Sequence, residues 1–284
     1  MAYEHAKCLK SLGQNITGVI SRPDSNSLSK FKSSFDIDHI FLNAEDALEK
    51  KSNWDAVIVC CKEEFSFSFV HALANSGKPI LAEKPISFDI EELKKLESHK
   101  NILVGFNRRF YSNISYIKSE LEGKNIDLVK ICIPESSISE DLGFEKSLPR
   151  LVYSNSIHIF DLLTFLFGEI FWQSSVKLEK NKNLQTLSLL GYNEEKVNFS
   201  LDLPFDYPDN FSVIIYANER RYVLRPLEVL KVYKGIEILE SSKKVPYRIY
   251  EPKLESTFIA ETKENLKIGL FEQDRAFVEY CESN

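Results

Sequence analysis

Basic charge, glycine, proline and paired cysteines are all scarce in this chain. Lys and Arg number 36 against 42 Asp and Glu, a net charge of −6 over 284 residues. Without a basic excess there is no general attraction for a phosphate backbone, so a nucleic-acid partner is not expected. Ten glycines and ten prolines are too few for a linker-rich or collagen-like chain. The five cysteines (Cys8, Cys60, Cys61, Cys132 and Cys281) are odd in number and scattered, with no CxxC pair or Cys/His cluster. That argues against a zinc site and a disulfide framework, and points to a reduced, cytoplasmic protein without a metal. Long hydrophobic runs are missing too. The most apolar stretch, Ile157 to Trp172, carries Asp161 and Glu169 and falls short of the roughly 20 residues a bilayer span needs. The N-terminus, MAYEHAKCLKSLG, mixes acid and base and lacks the apolar core of a signal peptide, so no membrane partner is expected.

What the chain has is enough length and apolar content for one large domain or two moderate ones. Up to about residue 135, short apolar runs alternate with amphipathic stretches, the pattern of βαβ units. Helices are expected at Ala2–Leu12 (closed by Gly13), from Asn26 or Ser27 to Ser34, at Glu64–Ser76 (stopped by Gly77), from Asp89 onward, and near Ser112–Glu122. Strands are expected at Ile16–Ser21, Asp55–Cys61, Pro79–Glu83 and Ile102–Phe106. DAVIVCC reads as a strand buried on both faces of a parallel sheet. After Asp127 the pattern changes. Segments Asp127–Pro134, Trp172–Leu178, Leu184–Gly191, Lys196–Leu203, Phe211–Ala217 and Tyr222–Val232 are β-branched and aromatic, which predicts a mostly antiparallel sheet. One helix at Ser156–Phe167 and a last one at Glu264–Cys281 complete this half. The expectation is an α/β domain followed by an α+β domain, with the boundary near residues 107–127.

The opening is unusual, because a parallel sheet needs a strand before each crossover helix and this chain starts inside a helix. In a dinucleotide-binding fold a strand and a G-x-G-x-x-G turn would precede that helix. If Met1 and Ala2 stand at the end of such a turn, Ser21 falls 19 residues beyond Ala2, close to the ribose-reading position expected about 20 residues on. The alternative on spacing is an α/β fold that starts with a helix, such as a receiver-like or hydrolase domain. A Gly-x-Ser-x-Gly elbow is absent, and His158 has no evident nucleophile partner, which weighs against the hydrolase class.

Three motifs then bear on the choice: Ala82-Glu83-Lys84-Pro85, Gly105-Phe106-Asn107-Arg108-Arg109-Phe110, and Asn155-Ser156-Ile157-His158-Ile159-Phe160-Asp161. In this order they resemble the Gfo/Idh/MocA family of NAD(P)-dependent oxidoreductases, with weaker echoes at Leu224-Arg225-Pro226-Leu227-Glu228 and Gly269-Leu270-Phe271-Glu272-Gln273. The resemblance implies a Rossmann-like domain over residues 1–110, short of its first strand and glycine turn. It implies a substrate-binding and oligomerisation domain with a large open sheet over 111–284, and assembly as a homodimer or homotetramer through that sheet. It further implies oxidation or reduction of a sugar, sugar nucleotide or cyclitol, with surface-polysaccharide synthesis one setting in which such enzymes occur. A catalytically impaired relative, kept as a binding or oligomerisation module, is the alternative.

Read alone, Lys84 is an exposed lysine after a strand. In the context of Glu83 and Pro85 it becomes an acid/base or carbonyl-polarising group at the carboxyl end of a parallel strand. The resemblance maps His158 onto the family's active-site histidine; its ordinary pKa suits proton transfer, and Asp161, three residues on, shares its helix face. Many family members carry an aspartate four residues before this histidine. Here Ser154 stands there, followed by Asn155, and both become candidate hydroxyl-binding groups alongside Arg109 and Asp161. Ser21 and Arg22 at the end of the second family strand, with Cys60, Glu83 and Lys84, are the expected cofactor contacts. The cofactor is NAD or NADP, with NADP favoured because Ser and Arg suit a 2′-phosphate where an acid would bind a free ribose.

Overall fold

A computed structural model describes residues 1–22, 25–136, 155–180, 183–263 and 266–283. The chain divides into two compact units, residues 1–110 with 262–284, and residues 111–261. The sequence places residues 262–284 in the second domain; in the structure they return to the first. The reason lies in α1 and the last helix, which share the small apolar cluster Cys8, Leu266, Leu270 and Phe271.

The first unit is built of βα repeats. Helix α1 (Ala2–Ser11) leads to β1 (Gly18–Ile20), α2 (Asn26–Phe35), β2 (His39–Phe41), α3 (Ala44–Glu49), β3 (Val57–Val59) and α4 (Glu63–Ala74). Then come β4 (Ile80–Ala82), α5 (Ile90–Leu96) and β5 (Ile102–Val104), and a short 3₁₀ turn at Asn107–Phe110. The strands pair in parallel, β1 with β2 and β3–β4–β5 in that order. Local chemistry explains the boundaries. Asn43 caps α3 by accepting from the Asp46 amide at 2.8 Å, while Asp46 accepts from the Leu42 amide at 3.0 Å. Asp89 opens α5 as expected, accepting from the Glu91 amide at 2.9 Å. Gly18 keeps β1 and β2 close, since a Cβ there would stand 2.4 Å from the Phe41 ring. The core is Val70, Leu73 and Ala74 of α4 against Val59, Ile80 and Ala82. Trp54 fills its end with its Nε1 donating to the Ala47 carbonyl at 2.8 Å. Strand β2 and helix α3 were not expected: β2 follows Asp36 and Asp38 directly, without the longer apolar run that marks β3.

The second unit holds α6 (Ser112–Leu121), β6 (Ile126–Cys132), α7 (Ile157–Phe167), β7 (Ile170–Lys180), β8 (Asn183–Asn193), β9 (Asn198–Pro204) and β10 (Ser212–Ala217). Strands β11 (Arg220–Leu224), β12 (Val229–Leu239) and β13 (Ile249–Ile259) follow. One eight-stranded sheet runs β13-β12-β11-β10-β6-β9-β8-β7, antiparallel except for the parallel β6–β9 pair. The single strand expected at Tyr222–Val232 is two strands. Arg225-Pro226 breaks the ladder, and the Arg225 amide donates to the Val229 carbonyl across a tight turn. Strand β13 escapes the sequence pattern because both its faces are mostly exposed. Helix α7 buries Ile159, Leu162 and Leu163 completely. It meets the sheet edge-to-face, with the Phe167 and Phe199 centroids 5.4 Å apart. Helix α6 stacks Tyr116 on Phe258 at 4.1 Å. The last helix of the chain, α8 (Leu270–Ser283), starts later than expected and belongs to the first unit. Among the described residues no helix is long and apolar enough to cross a membrane.

Candidate active site

Register fixes the chemistry-bearing edge of the first unit. In the three-stranded sheet Val59 pairs with Ala82 and Ala82 with Val104, so the residues just past the strands, Cys60, Glu83 and Gly105, stand side by side. Backbone bonds extend the ladder there, from the Glu83 amide to the Val59 carbonyl at 2.9 Å and from the Gly105 amide to the Ala82 carbonyl at 2.8 Å. Lys84 comes next, half-buried, and Pro85 fixes the backbone after it.

Below this edge lies a charged cluster. His5, one turn into α1 and 1% exposed, has Nδ1 at 2.8 and 2.9 Å from both carboxylate oxygens of Asp274 on α8, and Nε2 at 3.0 Å from Glu83 Oε1. A neutral imidazole donates from one nitrogen only, whereas here both face a carboxylate. Burial works to lower the His5 pKa, but the hydrogen bonds to Asp274, Cys60 and Glu83 prevail and push it up to about 11. Asp274 is fully buried, and that burial holds its carboxyl above the usual range against the pull of His5. Gly105 makes room for the cluster: a Cβ there would stand 3.1 Å from Glu83 Oε1. The following turn is tied to the chain before α8 by Asn107 Nδ2, which donates to the Ile268 carbonyl at 3.1 Å.

The remaining sequence candidates fall as follows. Ser21 ends β1 half-buried, its hydroxyl donating to the Arg22 carbonyl at 3.3 Å, and Arg22 is exposed. Cys60 is half-buried beside His5. Arg109 lies on the 3₁₀ turn with its guanidinium carbon 5.6 Å from the Phe106 ring centroid. Glu83, expected to meet the cofactor, has its carboxylate engaged by His5. His158 and Asp161 sit on the first turns of α7, 6% and 9% exposed, and Asn155 is exposed just before them. Those three belong to the second unit, Lys84 and Arg109 to the first. Ser154 lies outside the described residues. Sequence reasoning missed His5 and Asp274. The weak echo at Gly269–Gln273 stops one residue short of Asp274, and a lone histidine inside a helix carries no spacing signal of its own.

The edge bears directly on a nicotinamide dinucleotide. The carboxyl ends of parallel strands are where open α/β sheets take ligands, and α1 offers an N-terminus with no side-chain cap. The strand ends thus fit such a cofactor. A glycine-rich backbone cradle for its phosphates is not among the described residues. Among the described residues β1 pairs only with β2, and β3 only with β4, and residues of both line an apolar cavity of about 550 Å³ with Ala6 and Leu9 of α1 and Phe277 of α8.

Comparison with known proteins agrees with this geometry. Residues 1–101 match the oxidoreductase family with an NAD-binding Rossmann fold, GFO_IDH_MocA. An inositol 2-dehydrogenase of Rhizobium meliloti is 28% identical over 132 residues, 44% of this chain and 40% of that protein. A myo-inositol 2-dehydrogenase of Thermotoga maritima is 26% identical over 174 residues, 58% of this chain and 51% of that protein. The matched stretches thus span about half or less of these curated relatives. The solved structure of a levoglucosan dehydrogenase, in complex with NADH and levoglucosan, superposes with a TM-score of 0.72 at 14% identity, over 100% of this chain and 88% of that one. The family match over residues 1–101, the Rossmann-like parallel sheet and the large, mostly antiparallel second sheet make this chain similar to the Gfo/Idh/MocA oxidoreductases.

Proposed function

We propose that this chain is an NAD(P)-dependent oxidoreductase acting on a CH–OH group of a sugar, sugar nucleotide or cyclitol, with Lys84 as its central proton carrier. The observation that carries the proposal is the placement of Lys84 two residues past the end of β4, the strand that lies between β3 and β5. A nicotinamide bound along this edge would supply the hydride acceptor or donor. Lys84 takes the hydroxyl proton in the oxidising direction and returns it in the reducing one. His158 is the second proton carrier, oriented by Asp161, while Arg109, Ser154 and Asn155 bind substrate hydroxyls. Sugar nucleotides, including those that feed surface polysaccharides, stay within the proposal because Ser154 replaces the acid many relatives carry. Ser21 and Arg22 favour NADP, while the levoglucosan dehydrogenase it resembles holds NADH. The names of the inositol dehydrogenase relatives support the cyclitol class.

We propose further that the second unit assembles this chain as a homodimer or homotetramer. Val176, Leu178 and Leu190 at one end of its sheet, and Ile236, Ile238 and Leu254 at the other, are exposed, which offers two apolar strand surfaces for contacts between subunits.

The test is a thermal-shift titration with NADH and NADPH, together with turnover over a panel of cyclitols and sugar nucleotides. One of the two cofactors is expected to raise the unfolding midpoint. Lys84→Ala should lower kcat at least ~100-fold, the range of one general acid/base, and far more than it lowers cofactor affinity. Stabilisation by neither cofactor, in a chain extended at its N-terminus by a strand and a glycine turn, overturns the proposal. A second reading, an impaired relative serving as a binding module, is favoured by the parallel sheet standing in two pieces. It predicts that the extended chain binds cofactor no better than the 284-residue one.

A further inference from the structure

We propose that His5 is a positioning residue for Lys84, acting through Glu83. The inference rests on the reading of Lys84 as the proton carrier, and it assigns a task to the cluster that this reading leaves unused. Glu83 is the residue directly before Lys84, and it is held at two points. Its amide is bonded to the β3 carbonyl of Val59 at 2.9 Å, and its carboxylate to His5 Nε2 at 3.0 Å. Gly105 leaves room for the same carboxylate, since a Cβ there would stand 3.1 Å from its Oε1. His5 is itself held by both oxygens of Asp274, on a helix from the far end of the chain. A side chain anchored this way fixes the backbone torsions of residue 83, and Pro85 fixes the backbone after residue 84. Lys84 is therefore aimed from both sides. The scaffold is α1, β3, β4, β5 and α8 together, not a single loop.

The cluster also sets the local charge. An imidazolium between two carboxylates leaves one net negative charge beside Lys84. Removing the cation leaves two, which favours the ammonium form of Lys84; removing the Glu83 charge leaves none, which favours the amine. The charged and titratable groups facing His5 are Asp274 from α8, Glu83 from the end of β4 and Cys60 from the end of β3; Cys8 of α1 lies against Asp274 in turn. A cluster that only stabilised the fold would not give responses of opposite sign at Lys84.

The experiment measures the rate at which Lys84 of the full chain reacts with trinitrobenzenesulfonate at pH 8.5, read site by site by mass spectrometry, for the wild type, His5→Gln, Glu83→Gln and the double variant. His5→Gln should slow labelling about threefold and Glu83→Gln speed it about threefold, the change that half a pKa unit makes. The double variant restores one net negative charge and should return to within about twofold of the wild type. Equal labelling across the set, or the same direction of change in both single variants, overturns the inference. Should His5→Gln fail to fold, Asp274→Asn and the charge state of the His5 ring in the wild type, read by ¹⁵N NMR, take its place. A neutral ring at pH 8 overturns the inference; a doubly protonated ring, with altered Lys84 labelling in Asp274→Asn, supports it. In an active preparation His5→Gln should lower kcat about tenfold while KM for the cofactor stays within twofold. A wild type that turns over no cyclitol or sugar overturns the oxidoreductase reading instead, and the labelling result stands apart from it.

Discussion

Raising the pH from 7.0 to 8.5 should cost this protein about 2 kcal/mol of folding stability, and His5→Gln should remove most of that dependence. An unfolded histidine titrates near 6.5, whereas the folded His5, between Asp274 and Glu83, is pushed up to about 11. A raised pKa means stabilisation fully present below about 6.5 and lost as the pH climbs toward the folded value. Within that window the native cluster holds one proton more than the unfolded chain, wherever in the cluster the proton resides. Stability then falls by about 1.4 kcal/mol per pH unit, close to 2 kcal/mol over 1.5 units. The window ends at 8.5 because free thiols begin to titrate there. Burial pushes the Cys8 thiol up to about 12 and the Cys281 thiol up to about 11, so both add to the slope above that point.

Urea unfolding followed by circular dichroism at four pH values measures the slope, and calorimetry should show a fall in Tm of about 4–8 °C over the same interval. His5→Gln carries a second, constant penalty. It leaves Asp274 and Glu83 facing each other without a cation, a loss of about 3–5 kcal/mol for a buried partner. Its stability at pH 7.0 is therefore lower, but its pH dependence is nearly flat. A wild type whose stability is constant from pH 7.0 to 8.5, or a variant that keeps the wild-type slope, refutes the charged-histidine cluster.

Other outcomes follow from the same contacts. Gly105→Ala puts a methyl group 3.1 Å from Glu83 Oε1, and the carboxylate must give way; a loss of about 1–3 kcal/mol by urea unfolding is expected, and a neutral result would mean the cluster is loose. Charging the exposed sheet with Val176→Lys and Ile238→Lys should convert the assembly to monomer by sedimentation without lowering the unfolding midpoint by more than about 2 °C. Extending the chain ahead of Met1 with an apolar strand and a glycine turn should raise the midpoint by at least about 5 °C. Such a strand pairs the free edges of β1 and β3 and fills the cavity between them. No gain from the extension would show that this cavity does not accept a strand.

The parts of the fold that carry strong periodic patterns were legible. The α4 stretch and the apolar α7 helix present enough consecutive residues for the period to decide and form close to where they were expected, while the continuous apolar run DAVIVCC holds the shorter strand β3 (Val57–Val59). What escaped was short or two-sided. Strand β2 lacks the longer apolar run that marks β3, α3 offers only six residues, and β13 alternates little because most of both its faces is exposed. The strand expected at Tyr222–Val232 was overextended because its apolar pattern continues across a turn that a single Arg-Pro pair makes. Residues 262–284 were assigned to the wrong unit, since sequence order says nothing about where a final helix returns. Its partner, Cys8 of α1, lies some 260 residues away along the chain.

The candidate site divides along the same line. Lys84 and His158 could be singled out because each sits in a motif that carries the family resemblance, a strand end followed by proline in one case and a helix start with an acid one turn on in the other. His5 and Asp274 had no such neighbours, since their meaning arises only from contact: 269 residues separate them, and the imidazole joins them at 2.8 Å. Glu83 marks the boundary between the two kinds of signal. Its place beside Lys84 made it a candidate for touching the cofactor, yet its carboxylate is bonded to a buried histidine instead. A motif can thus contain a residue whose task is to hold its neighbour. In such a case the sequence shows which residues stand together, and only the fold shows which of them faces the chemistry and which is held by the core.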